Sequence, residues 1–331
     1  PDDTRWPELD RKLAAEWRAL FSPGYAERSA RVAQLEERRA VLKKNVPLTM
    51  VMQERAERRE TYVLMRGQYD QPDKSRPAKR AVPAALGKLP EGAPANRLGL
   101  AQWMTAADNP LVARVAVNRV WETLFGTGLV RTTEDFGMQG EWPSHPELLD
   151  HLAVEFRANG WSVKRLVSAI VTSRTYRQSS RSRPELRDSD PDNRLLAFFP
   201  RRRLSAEQLR DSALYVAGLL VERLGGASVK PYQPEGLWQE VAMLQSNTRV
   251  YERGMGDELW RRSLYTYWKR ACPPPSMLTF DAPTREFCAV RRTTTNTPLQ
   301  ALVLWNDEQF VEAARALATR TLAEAATDDE R

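Results

Sequence analysis

Residues 109–161 contain the strongest signals for the fold and read NPLVARVAVNRVWETLFGTGLVRTTEDFGMQGEWPSHPELLDHLAVEFRANGW. Apolar residues recur at helical spacing from Val112 to Phe125, and Gly126 follows where a left-handed C-terminal residue is expected. A second helical pattern begins after Ser144-His145-Pro146-Glu147, which has the composition of a capping box. The stretch therefore predicts two helices joined by a loop rich in charged and aromatic residues.

Helical signals continue through the C-terminal half of the chain. Ser205 to Gln208 has the pattern of another capping box, Thr297-Pro298 has the pattern of a helix start, and Asp307 is placed to cap the last helix. Only Thr61–Gly67 and Ser263–Trp268 are typical of short strands. The predicted fold is therefore mainly α with a small β component. A multi-helix core is closed by the C-terminal helices, and an N-terminal helical arm precedes it.

Composition divides the chain into three predicted parts. Residues 1–60 contain two charged helical segments, the first with apolar residues from Trp6 to Leu20, and form a helical arm or the end of an upstream domain. Residues 61–95 hold a strand followed by a proline-rich strap. Residues 96–331 form the main helical domain. The sequence opens without a methionine or a signal-peptide core, which favours a mature product or a piece of a longer protein.

Charge and composition limit the classes of function. The chain has 331 residues, of which 42% are hydrophobic and 28% charged, as expected for a globular protein with a core. No apolar run reaches the roughly 18–20 residues of a membrane span. The net charge of +7 comes from 50 basic and 43 acidic residues. An anionic polysaccharide or an acidic partner fits this charge. Nucleic acid is not favoured, because the positive excess is small.

Few residues carry a signal for a specific chemistry. A disulfide between Cys272 and Cys288 would fit an exported protein, and two free thiols fit the sequence equally well. The two histidines, His145 and His151, do not have the spacing that places a metal-binding pair on one helix face, so no metal site is predicted. No nucleophile elbow, phosphate-binding loop or dinucleotide fingerprint is present. The sequence leaves open whether the protein is an enzyme.

Two polar clusters predict an anion-binding surface. Arginine binds sulfate, carboxylate and phosphate groups through two parallel hydrogen bonds, and a helix N-terminus also attracts anions. A buried arginine needs a partner, so a structural network of arginine and carboxylate groups is the alternative interpretation. The predicted surface comprises Asn118, Arg119, Asp135, His145, Arg285, Glu286, Arg291 and Asn296.

Several separated motifs agree, in order, with one family. They are TYVLMRGQYDQP, the stretch from NPLVARVAVNRVWETLFGTG to HPELLDHLA, RRRLSAEQLRDSAL, and the stretch from RRSLYTYWKRACPPPSMLTF to VEAARALA. Through these motifs the chain resembles the planctomycetal C-terminal domain called PSD-one, a domain of unknown function. The resemblance covers roughly residues 60–320. The family has no established catalytic residues, so none is assigned here.

The resemblance implies an exported bacterial protein, in the periplasm or at the cell surface. In this family the domain usually follows a second uncharacterised domain, and often a c-type cytochrome-like domain. The expected partners are therefore an upstream domain of the same polypeptide and a c-type cytochrome. This chain has no Cys-x-x-Cys-His, so no cofactor is expected within it, and haem would belong to the upstream or partner domain.

The resemblance also implies a connection with the use of complex, often sulfated, polysaccharides. The predicted function is that of an exported module in a cytochrome-linked system. Such a module would bind or process an anionic glycan, or dock a redox partner. The alternative is a non-catalytic scaffold or subunit of a larger surface or periplasmic complex.

Overall fold

The structure is a computed structural model that describes residues 8–46, 48–57, 59–181, 183–186, 188–325 and 327. In these residues it contains eleven α-helices and one two-stranded sheet, which confirms the predicted fold class. The chain forms two compact units, residues 1–79 and 80–331. The predicted division at residues 60 and 95 stays a prediction. Trp6 lies outside the described residues.

The first unit contains the predicted helical arm. Helix α1 (Glu8–Phe21) is followed by α2 (Tyr25–Asn45), and Gly24 between them has a positive φ of 72°. This conformation is accessible to glycine without a steric penalty, so the chain can turn here within a few residues. No residue of α2 is buried. Apolar residues of α1 also remain largely open to solvent, as Trp17 shows with 62% exposure.

A two-stranded antiparallel sheet completes the first unit. Strand β1 (Tyr62–Leu64) confirms the predicted strand, and it pairs with β2 (Pro72–Pro77). The sequence predicted only a strap where β2 lies, because proline cannot donate a ladder hydrogen bond. Both strands of a two-stranded sheet are edges, so prolines at the two ends of β2 are tolerated.

Four helices begin the second unit, and the last three of them contribute to its first apolar cluster. They are α3 (Arg97–Met104), α4 (Val112–Phe125), α5 (Pro146–Ala158) and α6 (Val163–Val171). Trp121 and Phe125 of α4 stack at 4.2 Å between ring centroids. They belong to the same buried cluster as Leu149 of α5 and Ile170 of α6. The apolar spacing of the opening stretch therefore does form the core.

Local capping chemistry sets most helix ends as predicted. Gly126 ends α4 with φ at 85°. The Ser205–Gln208 box is formed at the start of the helix that follows it. The box predicted at Ser144 and Glu147 was wrong, because His145 occupies the N-cap position and no side chain caps the helix. The Ser144 hydroxyl lies 3.0 Å from the Nδ1 atom of His145 instead.

Five more helices follow in the second unit, and all but the second of them contribute to a second, smaller apolar cluster. They are α7 (Ala206–Val216), α8 (Leu237–Val241), α9 (Pro275–Thr279), α10 (Pro298–Asn306) and α11 (Glu308–Glu324). Met277, Phe280 and Phe310 are buried together in this cluster, so the C-terminal helices close the fold as predicted. The strand predicted at residues 263–268 was wrong. It begins with a short 3-10 turn, and only Thr266 forms a β-bridge, to Val229.

Two buried arginines hold the irregular region between α7 and α9. Arg210 is 2% exposed and donates to the Leu259 carbonyl at 2.6 Å and to Oε1 of Gln309 at 2.6 Å. Arg261 is 1% exposed and donates to three backbone carbonyls of the 223–227 loop. These guanidinium groups replace the backbone ladders that the region lacks. In the described part of the chain, no helix has both the length and the apolar character needed to cross a membrane.

Candidate anion-binding cleft

A cleft of about 950 Å³ opens in the second unit, and it is called the basic cleft below. Its walls are the C-terminal end of α4, residues 200–208 before and at the start of α7, and the loop of residues 280–296 between α9 and α10. Phe125 of the first apolar cluster and Phe280 of the second both line it. The cleft therefore lies where the two clusters approach each other.

Basic side chains outnumber acidic ones along the walls. The arginines that line the basic cleft are Arg201, Arg202, Arg203, Arg291 and Arg292. The carboxylates that line it are Glu122, Glu207 and Asp281. Because the walls bring together more cations than anions, the cleft offers a positive potential to an anion that enters it.

Two of the arginines are neutralised by ion pairs within the walls. Arg203 pairs with Asp281, and the two side chains are only 18% and 15% exposed. Arg292 pairs with Glu207 at 2.7 Å. Burial alone would raise the Glu207 pKa, but the hydrogen bond and charge of Arg292, together with hydrogen bonds from the Glu207 amide and Ser205, lower it. These two pairs fix the positions of wall segments that are far apart in sequence.

Other arginines of the cleft keep their charge available. Arg202 and Arg291 are exposed, and within the described residues neither makes a hydrogen bond or a salt bridge. Arg201 donates only from Nε, to the Ser180 carbonyl at 3.2 Å. A free guanidinium group can bind a sulfate or carboxylate through two parallel hydrogen bonds. Arg202 and Arg291 are therefore the strongest candidates for direct contact with an anion.

Helix ends add further polar groups to the walls. Ser205, the N-cap of α7, and Gln208 both line the cleft, so the first turn of this helix faces it. The hydroxyl-bearing residues 293–295 line it from the loop that precedes α10. The partial positive charge of a helix N-terminus favours nearby anions. These features act in the same direction as the arginines.

Glu122 is the carboxylate without a salt bridge in the cleft, as far as the described residues extend. It is half-buried, and burial raises its pKa above the ordinary glutamate value. The positive charges of Arg291 and Arg119 lower it, but only in part. Nearby Glu134 raises it further. The wall next to Arg291 thus carries a carboxyl group that holds its proton more readily than usual.

The predicted surface is only partly assembled in the structure. Arg291 and Asn296 are the two of its eight residues that line the basic cleft. Arg119 is exposed on α4, one turn before Glu122, where its charge acts on that carboxyl group. Arg285 stacks on Trp268 at 4.3 Å from the ring centroid.

The other predicted residues have local roles. Asn118 was wrongly placed on a surface: it is fully buried, and its amide makes reciprocal hydrogen bonds of 2.9 and 2.8 Å with the Val130 backbone. Asp135 accepts a 2.7 Å hydrogen bond from the Gly137 amide inside its own loop. His145 is the N-cap residue of α5. Glu286 is exposed and does not line the cleft.

The two cysteines are free thiols, with Cys272 buried and Cys288 exposed. Among the described residues, no group of three or more histidine, cysteine, aspartate or glutamate side chains is placed to hold a metal ion. Arg114 of α4 pairs with Asp150 of α5 at 2.6 Å.

Sequence reasoning missed most of the cleft. The predicted surface included Arg291 and Asn296 but not the arginine run 201–203. The available signal was the position of that run, directly before the Ser205 capping box. A basic run before a helix N-terminus places cations where that helix end also favours an anion. No local pattern indicated that Glu122 would face the same space.

Fold and site together define a mainly helical protein with a basic cleft between two apolar clusters. Residues 96–331 match the family model PSD1, described as a protein of unknown function (DUF1553), and the chain therefore belongs to this family. The match includes every wall of the basic cleft and confirms the resemblance seen in the sequence. The chain matches no curated protein and no solved structure.

Proposed function

We propose that this protein is a binding module for an anionic polysaccharide and that the basic cleft holds a short stretch of the glycan chain. The observation that carries the proposal is the presence of two unpaired guanidinium groups, Arg202 and Arg291, in a cleft of about 950 Å³. Binding sites for small molecules typically measure roughly 300–1,000 Å³, which is enough for a few sugar units.

The chemistry of the walls fits such a ligand. Sulfate and carboxylate groups would bind to the free arginines, and sugar hydroxyls would bind to the side chains of residues 293–296. The ion pairs of Arg203 and Arg292 would keep the walls in place while the ligand binds.

Export to the periplasm or cell surface and association with a c-type cytochrome are part of the same proposal, on the strength of the family resemblance. The glycan would then be an extracellular polysaccharide, and the cytochrome would be a separate domain or partner. Fractionation of the native organism, with haem absorbance measured on the co-purified material, tests this part. Recovery of the protein in the cytoplasm without haem would contradict it.

The binding experiment uses dextran sulfate and isothermal titration at low salt. We expect Arg202→Ala and Arg291→Ala each to weaken binding by about tenfold, because each removes a charge-assisted contact. Arg119→Ala should weaken it less, since Arg119 does not line the cleft. Added NaCl should weaken binding further, as screening requires.

Arg174→Ala is the matched control, because Arg174 is exposed and lies outside the cleft. It removes the same charge and should leave the affinity unchanged. Only net charge matters, and the cleft is rejected as the site, if the same loss of affinity is measured for Arg202→Ala, Arg291→Ala, Arg119→Ala and Arg174→Ala. Absence of binding to the wild-type protein would reject the proposed function itself.

A non-catalytic scaffold is the second candidate function, and the outer side of α10 favours it. Leu299, Leu302 and Trp305 are 56%, 53% and 80% exposed on this helix. They recur every three residues and so form one apolar stripe. If this stripe contacts another subunit of a complex, Trp305→Ser should release that subunit in a pull-down and leave dextran sulfate binding intact.

A further inference from the structure

We propose that Glu122 regulates the basic cleft: its ionised carboxylate masks the charge of Arg291, and its protonation makes Arg291 fully available to an anion. This inference rests on the proposed function, because it concerns the affinity of the same site. It adds one property to the proposed function: the affinity of the cleft for an anion rises as the pH falls.

The positions of the two side chains support this arrangement. Glu122 lies in the last turn of α4 and lines the cleft from one wall, while Arg291 lines it from the loop before α10. The two groups interact through their charges but form no salt bridge among the described residues. Glu122 therefore offsets part of the charge of Arg291 without forming a salt bridge to it among the described residues.

Glu122 faces charged groups from three elements. Arg119 lies on its own helix, Arg291 on the loop before α10, and Glu134 on the loop after α4. No histidine is among the described residues that line the cleft. The pKa of Glu122 lies above its ordinary value. Burial is the largest cause of that increase.

The sign of the effect follows from the charge of each state. Above its pKa, Glu122 carries a negative charge that repels an entering anion and offsets Arg291. Below its pKa, that charge is lost and the cleft becomes more positive by one unit. Glu207 responds differently, because Arg292 lowers its pKa and keeps it ionised to lower pH. The chain therefore contains a matched carboxylate in the same cleft that should not titrate in the same range.

The test measures binding of dextran sulfate from about pH 8 to about pH 4.5, where its sulfate esters stay ionised. We expect the wild-type affinity to increase by about three- to tenfold as the pH falls, the effect of one charge at short distance. Glu122→Gln should bind at the higher affinity throughout and lose the pH dependence. Glu207→Gln removes an equal charge. It should change the affinity at every pH but leave the dependence of affinity on pH as in the wild type.

A second pair of variants separates masking of Arg291 from a general charge effect. In Arg291→Ala, the pH dependence should be reduced, and adding Glu122→Gln to it should raise the affinity less than Glu122→Gln does alone. Circular dichroism and thermal unfolding confirm that each variant is folded. The inference is overturned if Glu122→Gln retains the wild-type dependence of affinity on pH, or if Glu207→Gln abolishes that dependence. If dextran sulfate binds at no pH, the proposed function fails instead.

Discussion

The Asp281 carboxylate accepts hydrogen bonds from both the amide and the hydroxyl of Thr295, at 2.8 and 2.9 Å, across 14 residues of chain. The same carboxylate pairs with Arg203 on the opposite wall of the basic cleft. Asp281 itself has a positive φ of 62°, a conformation that aspartate tolerates better than most residues. One side chain therefore closes the loop of residues 280–296 and connects it to the segment before α7.

Asp281→Ala should release this loop. The substitution removes the acceptor for Thr295 and leaves the largely buried Arg203 without its partner, so we expect a loss of about 2–3 kcal/mol in the free energy of unfolding. Hydrogen exchange should increase first in residues 284–297. A control, Glu286→Ala, changes an exposed carboxylate in the same loop. Equal exchange in both variants would contradict the role of Asp281.

Arg210→Met should destabilise the second unit far more than a surface arginine does. It leaves the Leu259 carbonyl and the buried Gln309 side chain without their donor, with an expected cost of about 3–5 kcal/mol. Chemical denaturation measures the difference. Arg131→Ala breaks an exposed ion pair with Asp192 and should leave the midpoint unchanged. A similar denaturation midpoint for both variants would show that the hydrogen bonds of Arg210 do not stabilise the second unit.

Asn118→Ala separates stability from binding. The substitution leaves the Val130 amide and carbonyl buried without partners, and we expect a loss of about 3 kcal/mol. Because Asn118 does not reach the cleft, dextran sulfate affinity measured well below the unfolding temperature should equal that of the wild type. Reduced affinity in the folded variant would show that Asn118 contributes to binding.

The two thiols should react at different rates with a thiol reagent. Cys288 is exposed and should be modified within minutes, whereas Cys272 is buried and burial also raises its pKa, so it should react only on unfolding. Cys288→Ser should remove the fast phase. If the wild-type protein shows no fast phase until a reductant is added, the cysteines form a disulfide in solution and the free-thiol state is wrong.

Local chemistry explains which features could be read from the sequence. The Ser205 capping box and the Gly126 helix end depend on residues within one or two turns, and both were predicted correctly. Strand β2 was missed because its prolines oppose strand formation in most settings, and an edge is the exception. The alternation at residues 263–268 suggested a strand, but no continuous neighbouring strand was there to pair with it.

The cleft could not be predicted for a different reason. Its walls come from three segments that are separated by more than 70 residues each, and only packing of the two apolar clusters brings them together. The sequence showed arginines in each segment but no distance between them. Two other polar residues of the predicted surface make local contacts instead. Arg285 stacks on Trp268, and His145 is the N-cap residue of α5.

Synthesis of the chain gives the contact between Arg210 and Gln309 a further consequence. Gln309 is synthesised 99 residues after Arg210. At usual elongation rates, Arg210 therefore lacks this hydrogen-bond acceptor for several seconds. The first apolar cluster, made from α4 to α6, is complete well before that moment. The half of the second unit around Arg210 therefore matures last, and a ribosome that stalls before α11 would expose it to chaperones and proteases.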